Sequence, residues 1–208
     1  MTAWLMRILP DLRRRDVNDD LADLDRLHKR LMSLVPDGLG ENARAKAGVL
    51  FRLEETRQGM QLLVQSTVKP DIGRLPDGYG EIAVRELGAL LDRLRPGARV
   101  HYRIAANPSK RLGKSAGKDA GKVKPLRGAA AEEWWVTKAA SHGLAVATVT
   151  SQPRPDIRAK GTAVRHAVVR FDGIGVVTDP DALRAAVLTG IGRGKSYGCG
   201  LLSLAWAR

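Results

Sequence analysis

The chain has 208 residues, with 35 Lys and Arg against 22 Asp and Glu, a net charge of +13. That length suits one large or two small domains, and a hydrophobic content of 44% can bury a core. The charge calls for a polyanionic partner, and no apolar run is long enough to cross a bilayer, so nucleic acid is favoured over a membrane. Residues 1–10 lack the basic segment that opens a secretory signal. The single cysteine, Cys199, excludes an intramolecular disulfide and a cysteine-only metal site, and it fits a reducing cytoplasm. Aromatic residues are only 4%. A base-stacking sheet is therefore poorly supplied, and readout of backbone charge and helix shape is the better expectation.

Residues 3–9 read as a buried strand ended by Pro10. Arg13, Arg14 and Arg15 follow in a loop, either solvated or touching RNA. Asn18, Asp19 and Asp20 are helix N-cap candidates. After them Leu21, Leu24, Leu27, Leu31, Leu34 and Val35 recur at helical spacing, and Pro36-Asp37-Gly38 stops the helix. His28 borders its apolar stripe, while Lys29 and Arg30 point elsewhere. Residues 48–54 and 60–67 read as a hairpin turning at Arg57-Gln58-Gly59. Residues 70–80 are loop-like. A helical pattern at 83–94 (Val84, Leu87, Leu90, Leu91, Leu94) ends at Pro96-Gly97.

Residues 99–106 alternate as a strand. Residues 107–128 then carry Lys110, Arg111, Lys114, Lys118, Lys122, Lys124 and Arg127 with one acid, Asp119, and no apolar periodicity. Such a segment is expected to be mobile alone and to order on a polyanion. Ala129 to Ser141 is helical. Residues 144–150 and 164–171 read as strands, joined by a proline-rich turn carrying Arg154, Arg158 and Lys160. Asp172-Gly173 reads as a turn into another strand, 174–178. Asp179-Pro180 starts a helix that runs to Thr189, and residues 201–206 are the last strand. The two halves share one order of elements. An α+β fold of tandem ferredoxin-like (RRM-like) domains with antiparallel sheets is expected, 1–95 and 96–208.

The loop at 190–200 holds five glycines among eleven residues, interleaved with Arg193, Lys195 and Ser196. Glycine lets backbone amides approach a ligand, and cations strengthen such an anion-binding concavity. A Walker A loop is excluded, because Thr189 stands where its first glycine belongs and the loop follows a helix rather than a strand. Gly192, Arg193, Gly194 and Ser196 are thus candidate phosphate contacts, though a plain turn closing helix onto strand has the same pattern.

The run Gly190-Ile191-Gly192, Lys195-Ser196 and Gly198-Cys199-Gly200-Leu201-Leu202-Ser203-Leu204 resembles the C-terminal signature of the CRISPR RNA-processing endoribonucleases of type I-E systems, the CasE family. Leu27-His28-Lys29 with Leu34-Val35-Pro36, Leu62 to Ser66, and Tyr102 to Arg111 resemble further family motifs in the same order. The resemblance implies a cofactor-free, metal-independent endonuclease, monomeric when free. It would bind a CRISPR repeat stem-loop, cut at the 3′ base of the stem by 2′-hydroxyl attack, keep its product and join the Cascade complex. His28 takes the place of the family histidine; His101, His142 and His166 match no motif and read as structural. Some members carry a tyrosine three residues before that histidine and a lysine five after it, where this chain has Asp25 and Ser33. Tyr197, or Tyr102, and Lys195 are candidates to replace them. Lys29, Arg30, the basic segment, Arg158 and Lys160 are candidate RNA contacts. The alternatives are a non-catalytic RNA-hairpin-binding subunit of the same fold and a general basic interaction protein.

Overall fold

The computed structural model describes residues 2–57, 59–158 and 165–207. The first half builds β1 (Trp4–Pro10), α1 (Arg15–Ala22), α2 (Leu24–Met32), α3 (Ala43–Lys46), β2 (Leu50–Thr56), β3 (Gly59–Ser66), β4 (Gly80–Glu86) and α4 (Gly88–Asp92). The four strands form one antiparallel sheet in the order β2-β3-β1-β4. Met6 and Ile8 stand opposite Val64 and Leu62. That pleat face receives Leu27 and Leu31 of α2, together with Phe51, in one core.

Two expectations are corrected here. Asn18, Asp19 and Asp20 lie inside α1, and the cap of α2 is Asp23, whose side chain accepts from the amides of Asp25 and Arg26. Asp20 is fully buried and pairs with Arg26 and Arg30 at 2.8 and 2.7 Å. Residues 83–86 belong to β4, not to a helix. Pairing along β1 decides this, and a single 3₁₀ turn (Ile72–Arg74) replaces a second crossover helix.

The second half builds β5 (Arg99–Ala106), β6 (Ser109–Arg111), β7 (Val123–Pro125), α5 (Ala129–Ala140), β8 (Leu144–Val146), β9 (Thr150–Pro153), β10 (Ile157–Arg158), β11 (Arg165–His166), β12 (Val169–Val177), α6 (Pro180–Thr189) and β13 (Leu202–Trp206). The main sheet runs β13-β5-β12-β8, and β9 also pairs with β12. Both sheets thus have the ferredoxin-like order, and the fold is α+β. Trp135 of α5 is fully buried between Tyr102 and Phe171, with ring centroids 5.4 and 5.8 Å away.

Asp172-Gly173 is no turn: β12 runs straight through it. A Cβ at Gly173 would lie 1.9 Å from the Thr148 carbonyl oxygen, and Asp172 pairs with Arg103 and Arg170. The glycine serves close packing and the aspartate a charge network. The basic segment is also more ordered than expected. Its ends form the β6–β7 hairpin, with a 3₁₀ stretch (Lys114–Asp119) at the tip.

The halves are joined by polar bonds across a largely buried seam. Arg52 is 2% exposed. It pairs with Glu54 at 2.6 Å and donates to the carbonyls of Leu201 and Arg103 and to Ser203 Oγ. Gln65 donates to the Val187 carbonyl at 2.6 Å. Leu91 and Leu94, in and just after α4, pack into the second core. Among the described residues no helix is long and apolar enough to cross a membrane.

Candidate active site between the two sheets

The cap at Asp23 sets the rotation of α2, so that Leu27 and Leu31 face the core and His28 sits at its edge. The His28 ring lies 6.4 Å from Phe51, nearly parallel to it. Its Nδ1 is buried and without a hydrogen-bond partner among the described residues. Burial disfavours the imidazolium, the charge of Arg44 adds to this, and Asp25 opposes it; the net shift is below the usual histidine value. His28 is therefore a neutral imidazole near pH 7, able to accept a proton.

The glycine-rich loop arrives from the other half of the chain. All five of its glycines have positive φ. The need is clearest at Gly198, where φ is 78° and a Cβ would stand 3.2 Å from the Phe51 ring. The loop thus closes on the ring that backs His28. Bonds from the amides of Ile191 to Gly200, and of Tyr197 and Cys199 to Gly194, shape it, and Gly200 is tied to the Ala105 carbonyl of β5.

Lys195–Tyr197 form a 3₁₀ turn that packs on α2 and β2. Burial first, and then the nearby Asp25 carboxylate, hold the Tyr197 hydroxyl above the usual tyrosine pKa. A neutral phenol therefore stands on the face of α2 one turn before His28, supplied from another element. Lys195 Nζ donates to the Thr189 carbonyl at 2.7 Å. Burial, then the charge of Arg44, lower its pKa. Ser33 donates to the Arg30 carbonyl at 2.7 Å and finishes the helix.

Two participants were not singled out in the sequence. Arg44, on the four-residue α3, acts electrostatically on both His28 and Lys195. His166, read above as structural, is nearly buried with its Nδ1 2.7 Å from Asn107 Nδ2 and its ring 5.2 Å from that of Tyr197. It supports the loop from behind. Neither carries a motif, and only the Asn107-Pro108 end of β5 hinted at that neighbourhood.

Lys29 is exposed on α2, whereas Arg30 is committed to Asp20 and lies over the Tyr79 ring. Arg193 and Gly192 are exposed at the loop tip, and Gly194 and Ser196 are partly buried. Lys110 and Lys124 face each other across the β6–β7 hairpin, and Arg111, Lys114, Lys118 and Lys122 are exposed on it. Of these, Lys122 pairs with Asp119 at 2.6 Å. Arg158 lies in β10, and Lys160 lies outside the described residues.

A family model described as CRISPR associated protein matches residues 3–206. The chain belongs to this CRISPR-associated protein family, as a type I-E CasE member. CRISPR-associated endoribonuclease Cse3 of Thermus thermophilus is 28% identical over 97% of this chain and 99% of its own length. The Cascade subunit CasE of Escherichia coli is 29% identical over 88% and 92%. A structure of Cse3 bound to a 19-nucleotide RNA superposes with a TM-score of 0.85, covering 99% of this chain and all of that one. A chain of a CRISPR RNA-guided surveillance complex is 47% identical over 98% of this CasE member and all of that chain, with a TM-score of 0.71.

Proposed function

We propose that this chain is a metal-independent endoribonuclease that binds the CRISPR repeat stem-loop, cuts precursor RNA at the 3′ base of the stem, and keeps the product for a Cascade complex. The observation that carries this is the meeting of the His28 helix and the glycine-rich loop on Phe51, beside Tyr197 and Lys195. That junction offers a neutral imidazole, a phenol and a cation, the groups that transesterification at a phosphodiester needs. A relative named as an endoribonuclease, Cse3, and its structure in complex with RNA support the same reading.

In this mechanism neutral His28 takes the 2′-hydroxyl proton. The freed oxygen attacks the adjacent phosphorus, and the bond to the 5′-oxygen breaks. The leaving oxygen takes its proton from the Lys195 ammonium. Tyr197 donates its hydroxyl hydrogen to the 2′-oxygen and orients it, which leaves the 2′-proton to His28. The products are a 2′,3′-cyclic phosphate and a 5′-hydroxyl. Arg193, Gly192, Gly194, Ser196 and Lys29 line the approach of the strand. The β6–β7 hairpin and the Arg158-Lys160 stretch hold the stem. Residues 1–95 form the domain with the histidine helix and residues 96–208 the domain with both basic loops. The protein acts in the cytoplasm, which its one cysteine, free and buried, fits.

The test is incubation with the host's own repeat RNA in EDTA, followed by end-group analysis. Cutting at one site with a 5′-hydroxyl end is the expected result. A second reading, an RNA-binding subunit without catalysis, is favoured by one observation: Asp25 and Ser33 stand where some relatives carry tyrosine and lysine. Tight binding of the repeat with no cutting would establish that reading instead.

A further inference from the structure

We propose that Arg44 and Lys195 form a two-cation seat for the scissile phosphate, which makes Arg44 a catalytic residue; this rests on the reading above. The seat is built from two backbone segments that touch. Arg44 Nη1 donates to the Val49 carbonyl at 3.1 Å, at the entry to β2, two residues before Phe51. Lys195 Nζ donates to the Thr189 carbonyl at 2.7 Å, at the end of α6. Between them, a Cβ on Gly48 would lie 3.4 Å from the Leu188 carbonyl oxygen. Each carbonyl takes one N–H from a group with several, so both cations keep donors for another acceptor.

Neither Arg44 nor Lys195 forms an ion pair among the described residues, and both are partly buried. Asp25, the nearby carboxylate, forms no ion pair with either cation and acts instead on Tyr197 and His28. Two desolvated like charges without a counter-ion are unfavourable in the free protein, and Arg44 weakens the hold of both His28 and Lys195 on their protons. A phosphate bridging them removes that penalty. The match improves during reaction: the diester carries one negative charge, while the pentacoordinate phosphorane carries two. Two fixed cations therefore bind the transition state more strongly than the substrate. Arg44 supplies the charge that Ser33 does not.

The frame around Arg44 is held in place. The Asn42 carbonyl accepts from the amides of Ala45 and Lys46, Lys46 Nζ reaches the Leu39 carbonyl, and the Val49 amide bonds back to the Arg44 carbonyl. Asn42 itself has φ 61°, a left-handed conformation that asparagine tolerates.

The test is a charge cycle on a repeat RNA that cannot be cut because its attacking nucleotide is 2′-deoxy. Its cleavage-site phosphate is either natural or a neutral methylphosphonate. In the wild type, neutralising that phosphate should weaken binding about tenfold. In Arg44→Gln, which can still donate to Val49 and leaves Lys195 in place, the loss should fall to about threefold. Arg44→Lys should keep most of the wild-type loss. Lys195→Gln repeats the cycle should Arg44→Gln fail to fold, and should reduce the penalty likewise. An equal penalty in wild type and Arg44→Gln, or none in the wild type, would overturn the seat. Cutting of all-ribose RNA by the wild type is scored separately. A protein that fails there yet shows the charge cycle would lose the nuclease reading and keep the phosphate seat.

Discussion

At the scale of single residues, His28 is the most exacting element of the account. Its imidazole is held below the usual histidine pKa of 6.5 by burial and by Arg44. A base must be neutral to act, so the cleavage rate should rise with pH through a pKa below 6.5 and level off by neutrality. Asp25 opposes the shift. Asp25→Asn should therefore move that rising limb further to the acid side, as read from single-turnover rates at subsaturating enzyme. A rate that falls across the same range would make His28 an acid instead. Tyr197→Phe keeps the ring against His166 and removes the hydroxyl. It should slow cleavage about 100-fold with little change in affinity; an unaltered rate would remove Tyr197 from the chemistry. The stretches that carry His28 and Lys195 were legible as motifs, and the structure brings them to one junction. The approach of Tyr197 to Asp25 and the presence of Arg44 were not legible, because side chains distant in sequence meet only once the sheets have packed.

At the scale of elements, long periodic segments were legible and interrupted ones were not. The pattern from Val84 to Leu94 fits helical spacing, yet β1 offers Val84 and Ile82 a pairing edge, and tertiary pairing prevailed over local pattern. Asp172-Gly173 has turn composition, but Arg103 and Arg170 satisfy the charge and Thr148 needs the space. The β6–β7 hairpin was hidden because its residues are charged on both faces. That same feature makes it testable. Lys110 and Lys124 stand directly opposite, an unfavourable pair until a phosphate intervenes. Replacing both by Gln should weaken repeat-RNA binding and reduce the salt dependence of log Kd by about 1.4–1.8, while the free protein gains slightly in stability. An unchanged salt slope would place the stem elsewhere. At the glycine-rich loop, Gly198→Ala forces a side chain into a left-handed residue against Phe51. It should cost about 1–2 kcal/mol of stability and reduce cleavage more than binding, because the loop is lifted from His28.

At the scale of the whole molecule, the proposed site is assembled where the two sheets meet, so whatever fixes their orientation should control activity. Arg52 does this from inside the seam, with Glu54 as its ion partner and carbonyls of β5 and of the residue before β13 as acceptors. Removing it by Arg52→Ala leaves the buried Glu54 carboxylate with only the longer contacts to Arg103 and Gln61, at 3.5 and 3.4 Å, and should cost about 3 kcal/mol. The tandem architecture was legible from the order of elements, whereas this seam was not, since Arg52 reads in sequence as one more charge on a strand. The central claim remains that the junction is one catalytic site with His28 at its heart. It is tested most directly by single-turnover cleavage of the repeat RNA by wild type and His28→Ala, with RNA affinity measured beside it. The account predicts a rate lower by about 10²–10⁴ in the variant with affinity unchanged; cutting by His28→Ala at the wild-type rate would contradict it.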